Sequence, residues 1–261
     1  MTVVAEERAG LAAAAAAVRE RAVLVALLGA LGAAAWWLTA RRMVGMDGGP
    51  WTALGSLGWF VGVWVTMMAA MMFPSVAPTV ALHARLTRRR SPLAPLAFTS
   101  GYLAVWVVPG LAAFALAALV GPVAWEGTGR WLAGATLVAA AVYELTPLKD
   151  ICLGKCRSPL AFLIGSWRDG LRGAVRMGAA HGAWCVGCCW ALMASLFALG
   201  VMSLGWMAFV AALIAAEKML PWRRAATFGT AALLLLVGVL VLAAPDALPG
   251  LTIPGDDMQM P

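Results

Sequence analysis

The chain has 261 residues, of which 63% are hydrophobic and 12% charged, against roughly 25% charged in average soluble domains; its mean hydropathy is +0.88. A soluble fold of this length cannot hide so much apolar side chain, and 2 histidines with 12 acidic residues exclude a large soluble catalytic domain. The net charge of +7 is spread between apolar runs rather than gathered in one patch, which argues against a nucleic-acid partner and for the topology signals of a chain threaded through a lipid bilayer.

A spanning helix needs about 20 mostly apolar residues. Seven segments fit, so the expected fold is all-α: a polytopic transmembrane helical bundle of about seven spans. The first runs from Ala22 to Ala40 between Arg21 and Arg41, and the alanine run Ala12–Ala17 extends it inward. It is longer than the roughly 7–15-residue core of a secretory signal and reads as a retained anchor. The second runs from Leu57 to Val80, interrupted by Pro74 and Pro78. The third covers Ala97 to Val120, the fourth Trp131 to Leu148 and the fifth Met177 to Leu199. The sixth, Met202 to Ala216, is short and follows a tight turn at Gly200, Ser203 and Gly205. The seventh covers Phe228 to Ala244.

With the N-terminus inside, 16 Lys and Arg residues fall on the inner side and 3 on the outer, the bias expected of a plasma (inner) membrane protein. The organisation follows: a cytoplasmic segment 1–21, a transmembrane domain 22–244 and an extracytoplasmic tail 245–261. The longest polar connection is the inner loop from Lys149 to Arg176.

All 5 cysteines lie between Cys152 and Cys189. On the cytoplasmic side a structural disulfide is disfavoured, and an odd number leaves one unpaired. Cys152 and Cys156 form a C-x3-C in the inner loop. His181, Cys185 and then Cys188 or Cys189 recur every three or four residues along the fifth span, the spacing of one helix face. Three cysteines within five residues, with a histidine one turn before, form a soft ligand ladder. It suits copper(I), zinc or an iron–sulfur centre, while packing alone and thiol redox chemistry are the competing readings. Two paired motifs would also satisfy a structural zinc site.

Met67, Met68, Met71 and Met72 make two thioether stripes on the second span, at the depth of the cysteines. Thioether sulfur favours copper(I), though flexible core packing explains such stripes as well. Pro74 should free a backbone carbonyl beside them. Met43 and Met46 beside Asp47, and Met258 and Met260 beside Asp257, form smaller outer groups that read more simply as exposed loop residues.

Glu144, near the inner end of the fourth span, and Glu217, at the end of the sixth, are charges at the membrane edge. Each has a lysine close by, Lys149 and Lys218, and the choice lies between simple ion pairs and support of a metal or proton site. His83 is expected at the interface among arginines. No phosphate-cradling glycine loop, His-Glu-x-x-His pair or Gly-x-Ser-x-Gly elbow is present, and Ser195 lacks a base, so no catalytic residue is assigned and an enzyme is the less favoured class.

Trp64 through Pro74 with its Met-Met-Ala-Ala-Met-Met-x-Pro run, Tyr143-Glu144-x-x-Pro147-Leu-Lys149 with Cys152 and Cys156, Gly187-Cys188-Cys189-Trp190-Ala-Leu-Met193 and Glu217-Lys218 together resemble the predicted metal-binding integral membrane protein family. The resemblance covers Trp64 to Pro221. It implies metal handling, and some members of that family are described as membrane copper chaperones serving copper enzymes. The expectation is a copper(I) chaperone or metal-delivery factor. Its ligands would be Cys152, Cys156, His181, Cys185, Cys188, Cys189, Met67, Met68, Met71 and Met72, with Glu144 and Glu217 in support. Its partner would be a copper-dependent enzyme or another membrane subunit. The alternatives are a membrane thiol oxidoreductase using Cys185, Cys188 and Cys189, and a zinc-stabilised assembly partner.

Overall fold

The computed structural model describes residues 10, 12–13, 15–43, 56–88, 91–120, 129–199 and 204–244. The described residues are all-helical, with no strand among them. The helices are α1 (Ala22–Met43), α2 (Leu57–Leu86), α3 (Ala94–Val120), α4 (Gly129–Glu144), α5 (Pro147–Arg157), α6 (Pro159–Ser166), α7 (Gly170–Leu199), α8 (Leu204–Met219) and α9 (Arg223–Ala243). Helices α1, α2, α3, α7 and α9 are long and apolar enough to cross a membrane, and the bent pair α4–α5 makes a sixth candidate. Helix α8 has 16 residues, short of the about 20 that a full crossing takes. Residues 15–20 are also helical and lead into α1 past a turn at Arg21.

Two expectations change. The fourth segment does not run straight to Leu148: it breaks after Glu144 and turns by 67° into α5. Pro147 has no N–H to give the Tyr143 carbonyl. That carbonyl instead accepts from the Thr146 N–H at 3.0 Å and the Thr146 hydroxyl at 2.7 Å. Thr146 then caps the new helix, accepting from the Lys149 N–H at 3.3 Å, with Pro147 in the first helical position that proline prefers. The Lys149–Arg176 connection is accordingly not a loop but α5, α6 and the first turns of α7. Helix α5 also carries an inverted amphipathic pattern. Its inward stripe is Lys149, Cys152, Leu153, Cys156 and Arg157, while Leu148 and Ile151 are 59% and 57% exposed. Polar residues inside and leucine outside suit a helix whose surroundings are lipid.

The described helices form two compact units. The first takes in the chain up to Thr39, Val61–Gly110 and Ile151–Cys188. Its core is a methionine-rich stretch of α2 with Phe98, Tyr102 and Trp106, a stripe of three residues four apart on α3. Helices α3 and α7 approach closely at Gly178-x-x-x-Gly182. A Cβ at Gly178 would collide with the Phe98 carbonyl oxygen, and one at Gly182 would lie 2.9 Å from that of Tyr102. Small residues at this spacing let membrane helices meet backbone to backbone. Pro74 leaves the Ala70 carbonyl of α2 without its helical donor. The Trp36 indole of α1 donates to that carbonyl at 3.1 Å, so the gap in one helix is filled by its neighbour.

The second unit contains Leu111–Asp150 and the chain from Cys189 onward, with Ala40–Phe60. Here α9 packs on α4, with Gly238 against the Leu137 side chain. Helix α8 turns Met207, Val210, Ile214 and Glu217 inward. The outer faces of α1 (Val23, Leu27, Leu31) and α9 (Leu235, Leu236, Val239) remain exposed and apolar. Such faces suit acyl chains rather than water.

Candidate metal centre

Cys185 and Cys188 sit three residues apart on α7, so one face presents both thiols. Cys156, near the end of the inward stripe of α5, meets them there. The three sulfurs lie within 4.8 Å of one another, and the Cys156 and Cys188 sulfurs are 3.7 Å apart. A metal bonded to three sulfurs at about 2.3 Å, the zinc–thiolate length, holds them about 4 Å apart when they surround it in a plane. The cluster is therefore close to the spacing of a three-thiolate site. Cys185 and Cys188 are buried, and Cys156 is 9% exposed.

Two further side chains reach the cluster. The Met72 thioether of α2 lies 4.0 Å from the Cys185 sulfur. The Tyr102 hydroxyl of α3 lies 3.0 Å from that same sulfur. A metal at this position would make Cys185 a thiolate, and the phenol would then be the donor of a hydrogen bond that fixes the ligand and tempers its charge. The sequence did not single out Tyr102. Its only signal was a polar-tipped aromatic within the apolar stripe Phe98, Tyr102, Trp106.

The other expected ligands take different places. Cys152 is buried against α7 at Gly187, where a Cβ would stand 2.8 Å from its sulfur. Cys189 is buried on the side of α7 that faces Lys149. His181 is packed among aromatic rings, with centroids 4.8 Å from Phe162 and 6.0 Å from both Phe98 and Tyr102. None of the three joins the trio within 4.8 Å. Met67, Met68 and Met71 are buried in α2 with Met72. The side chains of the outer methionine groups, and the tail 245–261, lie outside the described residues.

In the second unit Glu144 and Glu217 converge on one lysine. The Lys149 ammonium donates to Glu144 Oε1 at 2.6 Å and to Glu217 Oε2 at 2.7 Å, and all three residues are at most 2% exposed. An arrangement of two carboxylates on one ammonium satisfies charges that would be costly alone in a low-dielectric interior. Lys218 is the lysine adjacent to Glu217, whereas the hub is Lys149, 68 positions away.

His83 lies in the last turn of α2 beside Arg85. It is fully buried, with its ring 5.0 Å from Phe98 and 6.1 Å from Trp167. Neither ring nitrogen has a hydrogen-bond partner among the described residues.

A cluster of soft sulfur donors in an apolar helical unit is the chemistry of copper(I) handling more than of oxygen-loving metals. A family model described as PpoB2, copper chaperone, matches residues 61–241. The chain belongs to the PpoB2 copper chaperone family. The PpoB2 match spans every residue of the thiol cluster, Met72, Tyr102 and the Glu144–Lys149–Glu217 triad. It also extends past Pro221 into α9, beyond the reach of the sequence motifs. Comparison with curated proteins and with solved structures gave no match. For a PpoB2 chaperone the description names copper as the metal handled, and the apolar helices fit a multi-pass membrane protein.

Proposed function

We propose that this chain binds copper(I) within the bilayer at Cys156, Cys185 and Cys188 and delivers it to a copper-dependent enzyme. The observation that carries the reading is the trio of thiols with a fourth sulfur, that of Met72, beside it. Zinc in structural sites takes four Cys or His ligands. Three thiolates and a thioether favour copper(I) instead. Cys152 and His181 lie one helical turn before Cys156 and Cys185 in the chain and Cys189 follows Cys188, so they are candidate additional donors, and Met67, Met68 and Met71 offer weaker thioether ligands along α2. An ion passing among thioethers leaves more readily than one held only by thiolates. Glu144 and Glu217 take a supporting role as the two carboxylates that hold Lys149, not as ligands.

The reading takes seven spans in the plasma (inner) membrane, with α4–α5 and α8 each completing one crossing. Segment 1–21 is then cytoplasmic, 22–244 the membrane domain and 245–261 extracytoplasmic. The test is copper(I) binding by the detergent-purified, reduced chain against a competing chelator. One tightly held copper(I) per chain is expected. It should be lost in Cys156→Ser/Cys188→Ser and retained in Cys189→Ser. Undiminished copper in the double variant would sink the site assignment.

A second reading rests on the 3.7 Å separation of the Cys156 and Cys188 sulfurs, near enough for a thiol pair to oxidise. A membrane oxidoreductase would need an oxidant such as a quinone. Thiol trapping in cells separates the two: a pair that cycles through a disulfide supports the enzyme, and a pair that stays reduced supports the chaperone.

A further inference from the structure

Trp167, Arg168 and Asp169, between α6 and α7, and Gly170, the first residue of α7, close over the end of α2. Gly170 has φ 77, a left-handed conformation that favours glycine. The segment roofs a cavity of about 60 Å³ lined by His83, Thr87, Ser91 and Ala94 below and by residues 167–170 above. Arg168, Asp169 and Gly170 are exposed, whereas His83, Thr87 and Ala94 are buried. The cavity thus has a rim at the protein surface and a floor inside the first unit. One water occupies about 30 Å³ of liquid, so the space suits a single ion with a water ligand.

The floor is built with an unusual economy of partners. Thr87 donates its hydroxyl to the His83 carbonyl at 2.8 Å, which fixes the backbone and leaves the imidazole alone. Both ring nitrogens are buried without a hydrogen-bond partner among the described residues. A native structure seldom leaves such groups unpaired without a functional reason. On the roof, the Trp167 indole donates to Asp169 Oδ1 at 3.2 Å, placing a carboxylate at the rim with Arg168 beside it. The donor below the rim is the imidazole, a ligand that suits copper and zinc.

Beyond the floor, a series of packed buried rings in the first unit links His83 to the thiol trio. His83 stacks near Phe98 at 5.0 Å, Phe98 near His181 at 6.0 Å, and His181 near Tyr102 at 6.0 Å. The Tyr102 hydroxyl then touches Cys185 of the thiol trio. We propose that the cavity at His83 is the intake port for the metal: a weak, single-imidazole docking site for copper(I), from which the ion passes by way of His181 to the thiols. This rests on the copper reading of the thiol trio. The transfer is a ligand exchange with no change of oxidation state. Copper(I) leaves imidazole nitrogen for thiolate sulfur, and the thiols release their protons to water or to the incoming ion's carrier.

The experiment loads the full chain, in lipid nanodiscs, with copper(I) from a chelate and follows the rate and the end point separately. His83→Phe keeps an aromatic ring and removes both nitrogens. It should slow loading about tenfold or more, within the range over which association rates vary among variants of one site, and leave final stoichiometry and affinity within twofold of the parent. Normal loading kinetics in this variant would overturn the port. A parent chain that binds no copper(I) overturns the thiol site instead, so the two failures are distinct. The second measurement does not depend on that variant folding. In Cys156→Ser/Cys188→Ser, which lacks the trio, silver(I) should shift the imidazole nitrogen NMR signal of His83. No shift at saturating silver(I) would refute docking at this ring.

Discussion

Tyr102 is the side chain on which the character of the thiol cluster turns. Its hydroxyl stands 3.0 Å from Cys185, and in a buried site one hydrogen bond to a thiolate moderates both its charge and its orientation. Tyr102→Phe keeps the ring that packs beside His181 and removes that bond alone. Copper(I) affinity should fall by about tenfold or somewhat more, the usual scale for partners behind a ligand. Competition against a chelator measures it, with thermal unfolding as the control for fold. An unchanged affinity would reduce Tyr102 to packing. The same scale explains why the sequence reading stopped where it did. His181, Cys185 and Cys188 fit one helical stripe equally well with Cys189, because positions three and four residues on flank the same face. Only the approach of α5 decides that Cys156 meets Cys188, and sequence periodicity carries no information about which neighbour packs on which side.

Among the elements, the break between α4 and α5 positions most of the polar chemistry. Thr146 and Pro147 end one helix and begin the next, which brings Lys149 between Glu144 and Glu217 and starts the stripe that ends at Cys156. The proline was visible in the sequence, and so were the lysine and both carboxylates. Their convergence was not, because Glu217 arrives on α8 from 68 residues away. Removing the central cation should be severe: Lys149→Met leaves two buried carboxylates facing each other, at a cost of about 3–5 kcal/mol. Replacing all three, as Glu144→Leu/Lys149→Met/Glu217→Leu, should recover most of that loss, since apolar substitution of a whole buried ion cluster is often neutral or better. Chemical denaturation in detergent measures both. Equal destabilisation of the single and triple variants would mean that the triad contributes attraction beyond mutual compensation.

At the scale of the molecule, apolar length made the membrane class and the long helices α1, α2, α3, α7 and α9 legible. The charge asymmetry adds an orientation that helix geometry alone does not contain. The shorter pieces were less legible, because hydropathy averages over the bend at Leu145–Thr146 and cannot tell a 16-residue helix that crosses from one that stops short. Reporter fusions at the two ends address this directly. Seven crossings put the N-terminal reporter in the cytoplasm and the C-terminal one outside. Both reporters on one side would reduce the count to an even number and return α8 to a non-spanning role.

The thiol trio draws one sulfur from α5 and two from α7, with Cys156 and Cys188 separated by 32 positions. A bound ion would therefore close a loop of chain as a removable staple, in the way a disulfide does permanently. Any ligand that binds only the folded state stabilises it by mass action, about 2.7 kcal/mol at a hundred times its dissociation constant. Loaded copies would then resist opening while empty ones breathe at α5 and meet the proteases that clear loosened membrane proteins. Cellular abundance of the chain would track the supply of its cargo, a form of rationing that needs no separate sensor.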